Sequence, residues 1–344
     1  MELDQRKMRI LRAIIDEYLL SANPVGSKAL SRSHEFNLSP ATIRNEMADL
    51  EDLGYLAQPH TSAGRIPSDK AYRLYVDKML THAKLSEDEA KSILSYCNTR
   101  VDGIRSVMKG TAKALSEITH YTAMVLMPEL AANRLRHIQL VPLTEGYALL
   151  VVVTDAGVAK DAVVEIPSDM TVSELESISR QITARFYNSR MTTVADRIMS
   201  ELGREVESRR GFVADLTESI RRSTASGAHS VELFGATNML KYPEYSDVGK
   251  AQSFLAIVEG REPLYNLLKK ASVLEFSVTI GRENEMDELS DCSVVTATYK
   301  IGDLPVGSFG VIGPTRMDYA RVLSVLECMR GGLGEVLTNL LEED

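Results

Sequence analysis

The stretch Leu-Ser-Pro-Ala-Thr-Ile-Arg-Asn-Glu-Met-Ala-Asp-Leu, residues 38–50, decides how the N-terminal part of this chain is interpreted. Ser39 is a favourable helix N-cap, and the fixed φ of Pro40 suits the first helical turn. The apolar residues of the stretch follow the spacing i, i+4, i+7, which places them on one face of a helix: Ile43, Met47 and Leu50. The pattern therefore predicts an amphipathic helix beginning at Ser39 and running to Leu53.

The other face of this helix carries small and polar residues near its N-terminal end. They are Ala41, Thr42, Arg44 and Asn45. A helix-turn-helix protein inserts this end of its recognition helix into the DNA major groove. The stretch therefore indicates a protein that reads DNA.

The neighbouring sequence completes a three-helix pattern. Residues 5–22 predict a first helix, and Ser27 caps a short second helix over residues 28–33. Gly54 ends the third helix as a C′ residue. Such helices with short connections are typical of a helix-turn-helix core.

A hairpin is predicted directly after the third helix. Residues 55–58 form its first strand and residues 65–67 its second, with a polar loop over residues 59–64 between them. A hairpin in this position is the wing of a winged helix, and its loop can contact the DNA backbone or the minor groove. Its candidate donors are His60, Thr61, Ser62 and Arg65.

Charge limits how such a module binds DNA. Residues 1–80 contain 11 basic and 11 acidic residues, while the remaining 264 residues carry the whole net charge of -9. DNA contacts must then come from basic groups gathered on one face, with the acidic groups turned away. Winged helices also serve as protein-interaction modules, and that alternative stays open on pattern alone.

Two strings carry a specific resemblance. Residues 38–53, and above all Gln-Pro-His-Thr-Ser-Ala-Gly-Arg-Ile-Pro-Ser-Asp-Lys-Ala-Tyr-Arg at 58–73, resemble the heat-inducible transcription repressor HrcA family. Further matches follow in order at residues 235–240, 280–284 and 312–319, so the resemblance covers essentially the whole chain. It implies a bacterial repressor of chaperone genes that binds an inverted-repeat operator on double-stranded DNA as a homodimer. The resemblance also implies that the GroE chaperonin favours the active repressor.

Beyond the winged helix, the chain alternates between helical and strand patterns. Residues 85–119 look helical, and β-rich runs fall at 122–127, 137–143, 147–154, 158–166, 273–280, 293–301 and 308–312. We expect an α+β multidomain protein with a winged helix-turn-helix at 1–84 and an α/β domain, with its linker helix, at 85–189 and 271–344. An insertion is expected at 190–270, with a flexible linker at 223–227. By resemblance, the split domain is GAF-like and the insertion is a dimerisation domain.

No catalytic or cofactor pattern competes with DNA binding. The string Gly-Ser-Phe-Gly-Val-Ile-Gly at 307–313 matches neither the dinucleotide nor the Walker spacing, and we interpret it as a strand. The six histidines and three cysteines show no metal-ligand spacing, so we expect no metal, no cofactor and no enzyme activity. No apolar run approaches the roughly 20 residues that a membrane helix needs. Because the three cysteines are an odd number with no paired spacing, we expect a protein of the reducing cytoplasm.

The residues expected to contact DNA form one set. Arg44 is expected to contact a guanine or a phosphate, and Asn45 an adenine or the backbone. The full set is Lys28, Arg32, Ser39, Ala41, Thr42, Arg44, Asn45, His60, Thr61, Ser62 and Arg65. The alternative function is a regulator that senses a small ligand through the GAF-like domain. The strings at 280–284 and 314–319 receive no role from the sequence, although packing is favoured for Arg316, Asp318 and Tyr319.

Overall fold

The computed structural model describes most of the chain. It covers residues 3–32, 38–61, 63–80, 85–97, 104–128, 134–144, 146–154, 159–205, 210–228, 231–302 and 304–342. The protein is α+β, as predicted, with separate sheets of two, five and three strands. Among the helices in these ranges, none is both long enough and apolar enough to pass through a membrane.

Three helices open the chain. They are α1 (Gln5–Ser21), α2 (Ser27–Arg32) and α3 (Pro40–Asp52). The Ser39 hydroxyl accepts a hydrogen bond from the Thr42 backbone N–H at 3.1 Å, so the predicted N-cap is present. The apolar faces of α1 and α3 are buried: Ile10, Leu11, Ile14 and Ile15 on α1, and Ile43, Met47 and Leu50 on α3.

A two-stranded hairpin follows α3, as predicted. Gly54 reverses the chain with φ of +78°, which glycine adopts without steric cost. Strands β1 (Leu56–Ala57) and β2 (Ile66–Pro67) then pair antiparallel. Ser68 caps the next helix, α4 (Asp69–Leu74), which continues into a π-helical turn at Tyr75–Met79.

The chain as a whole folds into two compact units, and the N-terminal elements belong to the first of them. The further elements are α5 (Glu87–Cys97), α6 (Ile104–Thr119), β3 (Thr122–Leu126), β4 (Leu135–Thr144), β5 (Tyr147–Thr154), β6 (Ala159–Glu165), α7 (Val172–Phe186), α8 (Met191–Glu205), α9 (Arg210–Ala228), β7 (Val231–Phe234), α10 (Val248–Gly260), α11 (Glu262–Ala271), β8 (Phe276–Ile280), β9 (Cys292–Ile301), β10 (Leu304–Pro314) and α12 (Tyr319–Glu342). The first unit comprises Met1–Thr99, Lys109–Val125 and Glu232–Thr338. The second comprises Arg100–Met108, Leu126–Val231 and Asn339–Asp344.

The first unit contains the five-stranded sheet, in the order β7-β3-β10-β9-β8. Strand β10 pairs antiparallel with both β3 and β9, and every residue of β3 is buried. Gly310 lies on β10 against the Val295 carbonyl, where a Cβ would not fit. The glycine-rich string at 307–313 is therefore a strand, as predicted, and its glycine permits close approach of the neighbouring backbone.

The second unit contains the three-stranded sheet, in the order β4-β5-β6. One face of this sheet packs against helices α7, α8 and α9 around an apolar core that includes Leu140, Leu150, Phe186 and Leu216. Hydroxyls of α7 also satisfy the free edge of β4. Ser179 Oγ accepts from the Leu140 N–H at 2.9 Å, and Thr183 Oγ1 accepts from the Ile138 N–H at 3.0 Å.

The boundaries expected at residues 190 and 270 differ from those in the structure. Within the described residues, strands β4 to β6 form a sheet of their own and belong to the second unit, although they were expected in the split domain. Helices α10 and α11 belong to the first unit, although they were expected in the insertion. Periodicity predicts that a strand exists but not which strand it pairs with, and β4–β6 pair through short local connections.

The prediction of a flexible linker at residues 223–227 is wrong. This segment continues α9, which ends at Ala228. The Ser, Thr and Gly residues of the segment have low helix propensity, but propensity is a weak preference that context overrides.

Candidate nucleic-acid interface

The exposed face of α3 carries the residues that the sequence predicted. Ala41, Arg44 and Asn45 are exposed near the N-terminal end of the helix, opposite its buried apolar stripe. Arg44 can donate in two directions to a planar acceptor such as a guanine edge, and Asn45 can both donate and accept. The helix therefore presents a short polar face that suits contact with base edges.

Ser39 and Thr42 are held together at the start of α3. In addition to the N-cap bond, the two hydroxyl oxygens lie 2.9 Å apart in a hydrogen bond. Ser39 is exposed and Thr42 is half-buried. Both hydroxyls thus stabilise the helix start, and a DNA contact by either one must coexist with this local bond.

Two acidic residues of α3 are paired with a cation from α1. The Lys7 ammonium lies 2.8 Å from Glu46 and 3.0 Å from Asp49, and Arg6 lies 3.5 Å from Glu46. Hydrogen bonds from Lys7 to Glu46 and Asp49 raise the pKa of Lys7 above its ordinary value, so this ammonium stays charged. The carboxylates are thereby paired on the flank of α3, while Arg44 remains exposed.

The hairpin loop is shaped by one side chain of the 58–73 string. The Gln58 amide donates to the Thr61 carbonyl at 3.0 Å and to the Ala63 carbonyl at 3.1 Å. His60 and Thr61 are exposed at the tip of the loop, while Ser62 lies outside the described residues. Gln58 thus fixes the backbone that presents the tip.

Arg65 and Gly64 tie the hairpin to the rest of the module. The backbone of Arg65 pairs with Val25, with N–O distances of 2.8 and 2.9 Å, and the Gly64 Cα faces the same backbone with no room for a Cβ. The Arg65 guanidinium lies 2.7 Å from Glu51, and its side chain is 19% exposed. The structure therefore places Arg65 in an ion pair rather than on the free surface, unlike Lys28 and Arg32, which are exposed on α2.

A second cluster lies around α4. We call it the α4 seat, and it consists of Asp69, Tyr72 and Arg73 of α4 with residues 281–283 and Tyr319. Arg73 Nε donates to Glu283 at 2.8 Å, and a second Arg73 nitrogen donates to the Val278 carbonyl at 2.5 Å. Asp69 accepts from the Arg282 backbone N–H at 3.1 Å. Because these partners are more than 200 positions apart, sequence patterns did not reveal them.

Gly281 allows this approach. It has φ of +55°, and a Cβ on it would overlap the Asp69 carboxylate. The ring of Tyr72 lies 6.0 Å from that of Tyr319, which is buried and hydrogen-bonded to Ser293 at 2.7 Å. The roles of the 280–284 string and of Tyr319 are therefore structural, since they hold α4.

Arg316 has a packing role, as predicted, whereas the Asp318 side chain is exposed and accepts from the Arg321 backbone N–H at 3.0 Å. Arg316 forms an ion pair with Glu244 and stacks 5.5 Å from the Tyr242 ring, with its side chain 11% exposed. The Asp318 backbone N–H donates to the Tyr121 hydroxyl at 3.2 Å. Within the described residues, no three His, Cys, Asp or Glu side chains are grouped so that they could hold a metal ion.

Comparison with known proteins identifies the family. The family model described as HrcA protein C terminal domain matches residues 105–323. A heat-inducible transcription repressor HrcA from Acetivibrio thermocellus is 38% identical over 100% of this chain and 99% of its own length, and one from Alkaliphilus metalliredigens is 40% identical over 98% of each chain. A solved structure described as a hypothetical protein resembles the fold, with a TM-score of 0.65, 24% identity and coverage of 98% of this chain and 99% of that chain. The chain therefore belongs to the heat-inducible transcription repressor HrcA family.

Proposed function

We propose that this protein is a heat-inducible transcription repressor of chaperone genes, not an enzyme, and that two copies bind an inverted-repeat operator on double-stranded DNA. Residues 1–84 act as the winged helix, with α3 as recognition helix and the β1–β2 hairpin as wing. The exposed, polar N-terminal face of α3 supports this proposal, and two carboxylates of the same helix, Glu46 and Asp49, are paired with Lys7. Such a face suits insertion into the major groove.

Each exposed residue has a distinct proposed role. Arg44 contacts a guanine or a phosphate, Asn45 an adenine or the backbone, and Ala41 and Thr42 pack against a thymine methyl or a phosphate. Lys28 and Arg32 of α2 hold phosphates, together with His60 and the remaining wing residues Thr61, Ser62 and Arg65. Because Arg65 is paired with Glu51, its phosphate contact requires exchange of that partner.

We place the dimer contact on the open face of the β4–β5–β6 sheet, in the second compact unit. The register aligns Val141, Leu149 and Val163 in one row across the three strands. Val141 and Val163 are exposed, as are Leu143 and Tyr147 nearby. A contiguous apolar patch on a sheet face suits a self-complementary interface with two-fold symmetry.

The five-stranded sheet of the first unit supports the GAF-like assignment, and the second unit, inserted between β3 and β7, supports the role of dimerisation domain. The family also leads us to propose action in the cytoplasm and dependence on the GroE chaperonin. A protein of marginal stability loses native population steeply on warming, so a chaperonin that maintains the folded state sets the level of repression.

Gel-shift titration tests the proposal. We expect the full chain to bind an inverted-repeat operator much more tightly than a single half-site of equal length, because two recognition helices then bind at once. Equal affinity for both DNAs would contradict simultaneous binding of two recognition helices to one operator. Adding chaperonin at elevated temperature should raise the bound fraction, whereas a curve independent of chaperonin would count against GroE dependence.

The dimer surface has its own test. Val163→Asp introduces a charge at an exposed position of the sheet face, and Val248→Asp, at an exposed position of α10, serves as the matched control. Sedimentation should show a monomer for Val163→Asp and the wild-type assembly for Val248→Asp. Wild-type assembly for both variants would contradict a dimer contact on this face of the sheet.

A further inference from the structure

A groove of about 660 Å³ lies between α11 and the β8–β9 edge of the five-stranded sheet. Its wall is one face of α11, with Pro263, Asn266, Leu267 and Lys270 among its residues, while the opposite face of α11 buries Leu264, Tyr265 and Leu268. Its floor includes Thr296 of β9 and Ser277 of β8, which face each other in the register. The volume falls in the range of about 300–1,000 Å³ that is typical of small-molecule sites.

One buried hydroxyl in the floor has no hydrogen-bond partner among the described residues. Thr296 is 2% exposed, and its Oγ1 is both buried and unpaired. Buried polar groups in native proteins are almost always hydrogen-bonded, because leaving one unpaired costs about 1–3 kcal/mol. Thr296 is also one of the residues that line the groove, and a rotation of its side chain would turn this hydroxyl toward a partner that enters there.

Two other polar side chains of the groove, unlike the Thr296 hydroxyl, already have partners within the protein. Asn284 is fully used in the fold, because its amide donates to the carbonyls of Gly281, Leu289 and Cys292. Lys270, the basic residue among those that line the groove, forms an ion pair with Glu285. The lining also contains Glu262 and Glu283, so its charge is acidic overall.

We propose that this groove binds a small organic cation, an amine or amidinium group on a compact apolar body. One N–H of the cationic group binds Glu283 with a charge-assisted hydrogen bond, and a second N–H of the same group donates to Thr296 Oγ1. The apolar body packs against Leu267, Leu274 and Met286. The acidic lining disfavours an anion.

The ligand competes with α4 for one carboxylate. Glu283 lines the groove and is also the partner of Arg73 in the α4 seat. Burial acts to raise the pKa of Glu283, but hydrogen bonds from Arg73 and the Ile280 N–H outweigh it and lower the pKa, so the carboxylate is charged. A bound cation therefore weakens the Arg73 contact, and the effect of this release on operator binding rests on the proposed DNA-binding function.

Binding to the groove is tested with the full chain and with benzamidine as the probe. An NMR titration measures the dissociation constant. Benzamide and benzoate serve as the neutral and anionic analogues. We expect a dissociation constant for benzamidine on the order of 1 mM or tighter, and weaker binding of both analogues. Binding of benzamide or benzoate as tight as that of benzamidine would overturn the cation specificity, and absence of saturable benzamidine binding would overturn the site.

Matched substitutions locate the site. Thr296→Val should weaken benzamidine binding by about tenfold through the lost hydrogen bond. Thr154→Val removes another buried, unpaired hydroxyl, in the second compact unit, and should leave the affinity unchanged. Unchanged affinity in Thr296→Val, or an equal loss in Thr154→Val, would overturn the assignment.

Competition between the ligand and Arg73 for Glu283 predicts one substitution that strengthens benzamidine binding. Arg73→Ala frees Glu283 and should tighten benzamidine binding by about two- to fivefold, the range of a partly exposed ion pair. Glu283→Gln should weaken it by about tenfold, while Glu275→Gln, which alters a carboxylate paired with Arg330, should not change it. Weaker binding in Arg73→Ala would contradict competition. The titration needs no DNA, so its result is independent of operator binding.

Discussion

The exposed face of α3 and the α4 seat lie in the same compact unit and are built in opposite ways. On α3, the important bonds are local: Ser39 caps the helix three residues away, and the polar face follows from helical spacing. In the α4 seat, Asp69 and Arg73 meet residues more than 200 positions later in the chain. The first region leaves its side chains free for a partner, and the second uses its side chains to hold the fold together.

This difference teaches how the two regions respond to substitution. Changes on the α3 face should alter DNA binding and leave stability nearly unchanged, because few native contacts are lost. Changes in the α4 seat should alter stability first, because its side chains are paired and its glycine has a left-handed backbone. Substitutions in each region can therefore separate DNA binding from stability.

Arg44→Ala should weaken binding to the inverted-repeat operator by about 1–3 kcal/mol for each recognition helix that loses its contact. The melting temperature should stay within about 1 °C of the wild type, since an exposed residue away from the core contributes little to stability. Gel shift and thermal denaturation measure the two effects. The control is Arg180→Ala, which removes an exposed arginine of the second unit; operator binding as strong in Arg44→Ala as in Arg180→Ala would remove Arg44 from the interface.

Gly281→Ala should lower the free energy of unfolding by roughly 2 kcal/mol or more. The left-handed backbone alone costs a residue with a Cβ about 1–2 kcal/mol, and the added methyl meets the Asp69 carboxylate. Urea denaturation of this variant measures the loss. Gly302→Ala, with φ of +58° and open space around it, is the matched control and should show the backbone cost alone. Equal losses in both variants would show that the approach of Asp69 adds nothing.

Ser39→Ala should affect both stability and operator binding, because Ser39 caps α3 and also belongs to the proposed DNA-contacting set. Loss of the N-cap costs about 1 kcal/mol of stability, and the freed Thr42 hydroxyl no longer holds the start of α3. We expect a reduced free energy of unfolding and a modest loss of operator affinity. Ser39→Asp retains a capping oxygen and should restore stability, while its negative charge near DNA should not restore affinity. Full recovery of both by aspartate would show that Ser39 acts only as a cap.

Glu283→Gln should have the smallest effect, about 0.5–1 kcal/mol of stability at neutral pH, because the side chain is 35% exposed and solvent screens the pair. The pKa of Glu283 is lowered in the folded protein, so its contribution is present above the unfolded pKa and is lost as the pH falls through the folded value. The difference between wild type and variant should therefore be largest near pH 7 and vanish in acid. Denaturation curves at several pH values check this, and a difference that grows as the pH falls would contradict it.

The sequence predicted local features well. The N-cap at Ser39, the turn at Gly54, the hairpin and the burial of Ile43, Met47 and Leu50 all follow from spacing within a few residues, and the structure confirms them. The glycine-rich string at 307–313 was likewise correctly interpreted as a strand. These signals are strong because capping, left-handed turns and helical periodicity depend on neighbouring residues.

Long-range pairing was beyond the same reasoning. The strands at 135–165 were recognised, but their membership of a separate sheet depends on contacts that periodicity does not encode. The ion pair between Arg65 and Glu51 is another contact that the sequence patterns did not predict. The partner of Arg73 was equally hidden, because no local pattern connects it to Glu283, 210 positions later in the chain.

In the proposed complex, α3 reads bases while α2 and the wing hold the DNA backbone. Gel-shift competition with operators that carry single-base substitutions across one half-site distinguishes these two roles. Wild type should lose about 1–3 kcal/mol at each base that it reads; Arg44→Ala should lose discrimination at one position, and Lys28→Ala should weaken binding to every sequence alike. Unchanged discrimination at every position in Arg44→Ala would contradict the claim.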